Sequence, residues 1–151
     1  MRALLLITLL SGCGSPAEPQ PVMVARDYAE IDAMVFKTSC NFSVCHTAGP
    51  RAQGGLDLVT DSYAALFNVA ARNPKANGEQ RVLVKPCDPE NSFLLTKLKL
   101  PADGDPGYGA PMPQNSPALP TEQLLAIADW IARGAHRQEP PGTSGSTCTQ
   151  R

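Results

Sequence analysis

Apolar residues recur at helical spacing in several stretches of this chain, and only one short run reads as extended. Ile31, Met34 and Val35 share one face of a helix that opens at Asp27-Tyr28-Ala29-Glu30. An acidic acceptor with Glu three residues on forms a capping box. The spacing predicts that this helix ends near Phe36 and delivers the chain to Cys40. A shorter helical stretch is expected over residues 62–67, after Leu56-Asp57-Leu58. Phe93, Leu94, Leu95 and Leu98 give an apolar side to another helix, with Asp88 as its N-cap and Pro89 at the first helical position. The clearest pattern is the last. Leu124, Ile127, Ala128 and Ile131 form a stripe that Leu125 and Trp130 widen, with Thr121 as cap, Glu122 in the first turn and Gly134 as stop. Between these helices Arg81-Val82-Leu83-Val84-Lys85 reads as a short extended segment ended by Pro86, and residues 73–80 as polar and turn-like. The fold class this predicts is mainly α.

The connections are as telling as the helices. Residues 101–120 hold six prolines and three glycines, which forbid helix and regular sheet alike. A structureless loop of that length inside a compact domain is uncommon unless it has a function. Its only soft metal ligand is Met112, set between Pro111 and Pro113. Over the whole chain 15 Pro and 12 Gly stand against 5% aromatic residues, a loop-rich composition of the kind that leans on a cofactor or covalent link. The 151 residues suit one domain, and a net charge of -1 without a basic patch argues against a nucleic-acid partner.

The N-terminus carries a different signal. Met1-Arg2 precedes the apolar run of residues 3–10, too short to span a bilayer, and the run ends in Leu10-Ser11-Gly12-Cys13. That tetrad resembles the lipobox of bacterial lipoproteins. It implies a signal peptide over residues 1–12, lipidation of Cys13 and anchoring to the membrane, with an ordinary secretory signal as the alternative. Residues 13–25, rich in proline, read as a flexible tether, residues 26–138 as the folded domain, and residues 139–151 as a flexible tail. The localisation expected is exported and lipid-anchored, on the periplasmic side or at the outer membrane. In such a compartment thiols seldom stay free. With Cys13 lipidated, Cys40 and Cys45 form a local pair, and a Cys87–Cys148 disulfide would pin the tail to the body.

Cys40 and Cys45 are followed directly by His46. Two cysteines two residues apart and then His is the attachment signature of c-type haem, and here the gap is four residues. The same groups are present: two thiols to add to the haem vinyls, and an imidazole to reach the iron. Residues five apart on a helix lie about 140° apart around its axis, so residues 41–44 must loop out for both thiols to meet one haem edge. Met112 offers a thioether as second axial ligand, and His/Met ligation suits an electron-transfer haem. A Cys40–Cys45 disulfide, a zinc site built on Cys40, Cys45 and His46, and Met112 as a plain packing residue are the alternatives. Arg51 and Lys85 are either partners for the haem propionates or surface charges. His136 reads as a surface residue and Trp130 as core.

Taken in order, these features resemble the cytochrome c-like domains of bacterial exported lipoproteins. The likeness runs from about residue 26 to 136. It rests on the first helix, Cys40-x₄-Cys45-His46, Gly54-Gly55-Leu56-Asp57-Leu58, Val84-Lys85-Pro86 with Asp88-Pro89-Glu90-Asn91-Ser92, Met112-Pro113 and Trp130-Ile131-Ala132-Arg133-Gly134-Ala135. Many relatives have Gly where this chain has Cys87. The resemblance implies a class I cytochrome c-like fold, short helices around one covalent haem c with long Pro/Gly-rich loops, and His46 and Met112 as axial ligands. The function expected is a membrane-tethered mono-haem electron carrier exchanging electrons with redox partner proteins, rather than an enzyme. The alternative is a haem-free, disulfide-stabilised module for binding or structure.

Overall fold

A computed structural model describes residues 27–42, 44–138 and Cys148. Residues 1–26, which carry the expected signal peptide, Cys13 and tether, and the rest of the tail lie outside the described residues. Asp27 caps α1 (Tyr28–Ile31): its carboxylate accepts from the Glu30 N–H at 2.9 Å while Glu30 accepts in return from the Asp27 N–H at 3.2 Å. The chain continues without a break through a π-helical segment (Asp32–Phe36) into α2 (Lys37–Ser39). The helical run thus outlasts the expected end at Phe36 and reaches Cys40 itself. Two devices extend it: the Thr38 hydroxyl donates to the Met34 carbonyl at 2.6 Å, and Lys37 pairs with Asp32 at 2.8 Å. Single 3₁₀ turns follow at Gly49–Arg51 and Gln53–Gly55, then α3 (Ser62–Leu66), α4 (Pro74–Gly78), α5 (Phe93–Lys99) and α6 (Thr121–Ala132). Extended pairing among the described residues is limited to isolated bridges, Phe67 with Val84, Ala70 with Val82 and Asp105 with Gly109. The class is mainly helical. No helix among the described residues is long and apolar enough to cross a membrane.

Three local expectations are corrected. Residues 73–80 contain α4, because Asn73 accepts from the Ala76 N–H at 3.0 Å and Pro74 occupies the first helical position. Asp88 does not cap α5. Its carboxylate closes a turn on Asn91, and the helix starts only at Phe93, after Ser92 has spent its hydroxyl on the Lys85 N–H and the Asp88 carbonyl. Thr121 is the first residue of α6 rather than its cap. Pro120 holds the cap position with no side-chain bond, and its carbonyl accepts from Gln123 and Leu124.

The core gathers Ile31, Val35 and Phe36 from the first helical run, Leu66 from α3, Leu95 and Leu98 from α5, and Ile127, Trp130 and Ile131 from α6. Tyr28 packs against Tyr63 and Trp130 with ring centroids 5.0 and 5.2 Å apart. Its hydroxyl donates to Ser62 at 2.6 Å, and Ser62 donates onward to Asp32, so burial leaves no polar end unpaired. Trp130 is fully buried and its indole N–H is bonded to the His136 carbonyl at 2.9 Å. Of the stripe on α6, Ile127 and Ile131 face the core, whereas Leu125 is 40% exposed. The helix is closed by Gly134 at φ +112°, with the Ala135 N–H on the Trp130 carbonyl. Cys87 and Cys148 are joined by a disulfide that ties the tail back beside the end of α6, where the Cys87 N–H bonds the Ile131 carbonyl.

Candidate functional site

The helical run ends at Cys40 because the Phe36 carbonyl accepts from both Cys40 and Asn41, which closes the last turn. The chain then arches out of helical geometry. The Cys45 N–H returns to the Phe42 carbonyl at 2.8 Å and the His46 N–H to the Cys40 carbonyl at 3.1 Å, so the arch is pinned at its base. Ser43 within it lies outside the described residues. Cys40 and Cys45 are both free thiols and partly buried. Burial, and behind it the neighbouring Cys45, pushes the Cys40 thiol up to about 11.

His46 is held from both sides. Its carbonyl accepts from the Leu58 N–H at 3.1 Å, and its Nδ1 lies 3.2 Å from the Leu56 carbonyl. A carbonyl only accepts, so Nδ1 carries the proton and Nε2 keeps its lone pair for a ligand role. The Gly54-Gly55-Leu56-Asp57-Leu58 stretch acquires a physical reason here. Gly54 and Gly55 take φ of +61° and +65°, turning the chain so that the Leu56 carbonyl meets the imidazole. Asp57 then staples the loop, accepting from the Val59 and Thr60 N–H groups, the Thr60 hydroxyl and the Gly49 N–H. These four donors hold its carboxyl well below the usual carboxylate range.

Across the molecule Met112 is partly buried against the core, its N–H bonded to the Lys97 carbonyl at 2.9 Å. Cys40, Cys45, His46 and Met112 all line one cavity of about 650 Å³. Phe36, Leu58, Leu66, Leu94 and Leu98 supply much of its apolar wall. The size falls within the usual range for small-molecule and cofactor sites.

Of the cations weighed from sequence, neither reaches the cavity lining. Arg51 is exposed, and Lys85 pairs with Asp88 at 2.8 Å. Two others line it, Arg72 and Lys97. Arg72 lies against the bare face of Gly55, where a Cβ would come within 1.8 Å of a guanidinium nitrogen. Nothing in the sequence around Arg72 signals this placement. Lys97 carried a readable signal: with Leu94 and Leu98 it falls on one face of α5, a charge within an apolar stripe. Its burial lowers the ammonium below the ordinary lysine value.

No group of three or more His, Cys, Asp and Glu side chains that could hold a metal ion occurs among the described residues. No family model, curated protein or solved structure matches the chain.

Proposed function

We propose that this chain is an exported, lipid-anchored mono-haem c-type cytochrome, class I cytochrome c-like in fold, that carries electrons at the cell envelope. The observation that carries the reading is the convergence of two thiols, an imidazole and a thioether on one apolar cavity, His46 and Met112 standing sixty-six residues apart in the chain. The residues fit the group. Cys40 and Cys45 would hold it covalently, His46 and Met112 would be its ligands, and the Arg72 guanidinium, seated on the bare face of Gly55 at the cavity lining, would pair with its carboxylates. When bound, the haem supplies a one-electron couple.

The chain's own residues set the surroundings of that couple. The Leu56 carbonyl fixes the His46 tautomer and raises its basicity as a ligand. The apolar wall lowers the polarity around the site, and Met112 as a ligand would favour the reduced state. With His46 and Met112 both as ligands, the haem would offer no place for a substrate, which favours the role of a carrier. Its redox partners are proteins of the same compartment, and Cys13 supplies the membrane anchor.

The test is a pyridine haemochrome spectrum of the denatured protein after expression with the c-type maturation system. One covalent haem per chain is expected. A colourless polypeptide would sink the reading in favour of a haem-free module. In the holoprotein Met112→Ala should abolish the weak far-red sulfur-to-iron band of the oxidised form, and its survival would remove Met112 from the site.

A further inference from the structure

The loop of residues 101–120 looks like the least constrained part of the domain, yet the stretch that leads into Met112 is fastened at almost every residue. Asp105 Oδ1 accepts from the Gly107 and Tyr108 N–H groups at 2.7 and 2.8 Å, and the Asp105 and Gly109 backbones exchange two hydrogen bonds. Tyr108 packs its ring on Phe93 and donates its hydroxyl to Glu79 at 2.7 Å. These contacts fix the outer turn, several residues short of Met112.

Two side chains of the cavity lining join that turn to it: Asn73, whose amide donates to the Gly107 and Tyr108 carbonyls at 3.2 and 3.4 Å, and Lys97, which alone reaches on toward Met112. The Lys97 ammonium donates to the Tyr108 carbonyl at 2.9 Å and to the Ala110 carbonyl, the two acceptors on either side of Gly109 at φ +81°. The backbone carbonyl of the same residue receives the Met112 N–H at 2.9 Å. One residue therefore grips the chain at 108, 110 and 112. It does so from α5, which is rooted in the core through Phe93, Leu95 and Leu98. Proline cannot donate, so Pro111 and Pro113 give Met112 no help from their own backbones. A partly buried ammonium makes stronger bonds to the two carbonyls than a neutral donor, and its loss strips the Ala110 carbonyl of that partner and leaves the Tyr108 carbonyl only the longer bond from Asn73.

We infer that Lys97 is the positioning residue of the Met112 site: its ammonium holds the Tyr108–Ala110 backbone so that the Met112 side chain stays at the cavity wall opposite a competing ligand. The inference rests on the proposed haem reading for its consequence, and on the hydrogen bonds alone for its mechanism. Lys97→Met keeps the apolar stem and removes the charge, while Lys97→Arg keeps a cation on the same face. Ser92→Ala serves as the control for general destabilisation, since it breaks two buried bonds elsewhere.

Imidazole titration of the oxidised holoprotein, followed by loss of the far-red band, measures how easily Met112 is displaced. Imidazole should bind at least about tenfold tighter to Lys97→Met than to the wild type, the scale of one lost charge-assisted hydrogen bond. Lys97→Arg should recover part of that difference, and Ser92→Ala should leave the affinity unchanged. Equal affinities in wild type and Lys97→Met, or an equal gain in Ser92→Ala, would overturn the inference. A second readout needs no haem: in the haem-free chain, exchange of the hydrogen-bonded Gly109 and Met112 amides should quicken in Lys97→Met more than at Leu95. Uniform exchange across these sites overturns the clamp whatever the haemochrome test returns, and a wild type without haem refutes the proposed function while this exchange still decides the clamp.

Discussion

The disulfide between Cys87 and Cys148 allows a backbone effect and a cross-link effect to be separated at one residue. The bridge closes a segment with a sequence separation of 61. Loop-closure entropy for a ring of that size corresponds to about 4 kcal/mol at 25 °C, inside the 2–5 range found when native disulfides are removed. Cys87 also sits at φ +65°, the left-handed region, where a side chain with a Cβ costs about 1 kcal/mol more than glycine. Cys87→Ser and Cys148→Ser should therefore each lose about 4 kcal/mol, whereas Cys87→Gly should lose only about 3 because it relieves the backbone. Urea unfolding followed by far-ultraviolet circular dichroism measures all three, with Cys40 and Cys45 in the same chemical state throughout. The slope against urea should rise in every variant, since an uncrosslinked denatured chain exposes more surface. A loss below about 1 kcal/mol in Cys148→Ser would show that the loop-entropy account fails here. Equal stability of Cys87→Gly and Cys87→Ser would refute the strain assigned to this position. The cysteine is tolerated at this left-handed position because the cross-link more than offsets its conformation.

Two further predictions address the cavity. With its thiols free, the protein should lose stability as pH rises from about 9. The unfolded Cys40 thiol ionises there, while the folded one, raised to about 11 by burial, stays protonated until higher pH. The Cys40 contribution should reach about 3 kcal/mol and is read as the difference between wild type and Cys40→Ala in urea midpoints across that window, because Tyr28 and Tyr63, both raised by burial, lose stability over an overlapping range in both proteins. A flat profile in the wild type would contradict the burial argument. Gly54→Ala and Gly55→Ala should each cost about 1 kcal/mol through their positive φ. Only Gly55→Ala also pushes Arg72 aside, because nothing lies within 4 Å of a Cβ at Gly54. In the holoprotein its midpoint potential should fall by tens of millivolts relative to Gly54→Ala, as expected when one positive charge moves away at an effective dielectric of about 20–40. Equal potentials in a redox titration would remove Arg72 from the site.

Much of the local structure was legible because it is encoded within a few residues. The Asp27–Glu30 capping box, the helix over Ser62–Leu66 and the apolar face of α6 with its Gly134 stop follow from spacing and side-chain chemistry alone. The errors fall where a side chain had two possible partners. Asp88 has the form of an N-cap, but Asn91 beside it takes both carboxylate oxygens, so the helix waits until Phe93. Asn73 and Pro74 form a cap and first-turn pair that a generally polar stretch obscures. The helix through Phe36 runs on to Ser39 because Thr38 and Lys37 bond backwards along it, an effect that apolar periodicity does not register.

The sequence by itself determined the chemical groups on offer, two thiols followed by an imidazole and one sulfur in a proline-rich loop. It also determined that two thiols five positions apart could meet one haem edge only if residues 41–44 leave the helix, since that follows from their angular spacing. Only the tertiary structure decided which groups meet. It put Met112 on the same cavity as His46, placed Arg72 and Lys97 rather than Arg51 and Lys85 on its lining, and set the Leu56 carbonyl against the imidazole and the Lys97 ammonium against the Tyr108 carbonyl. The reason is physical. Pairings set by backbone carbonyls and by chain segments distant in sequence leave no trace in residue type, because every residue carries the same carbonyl and the burial that makes a cation matter exists only once the chain is folded.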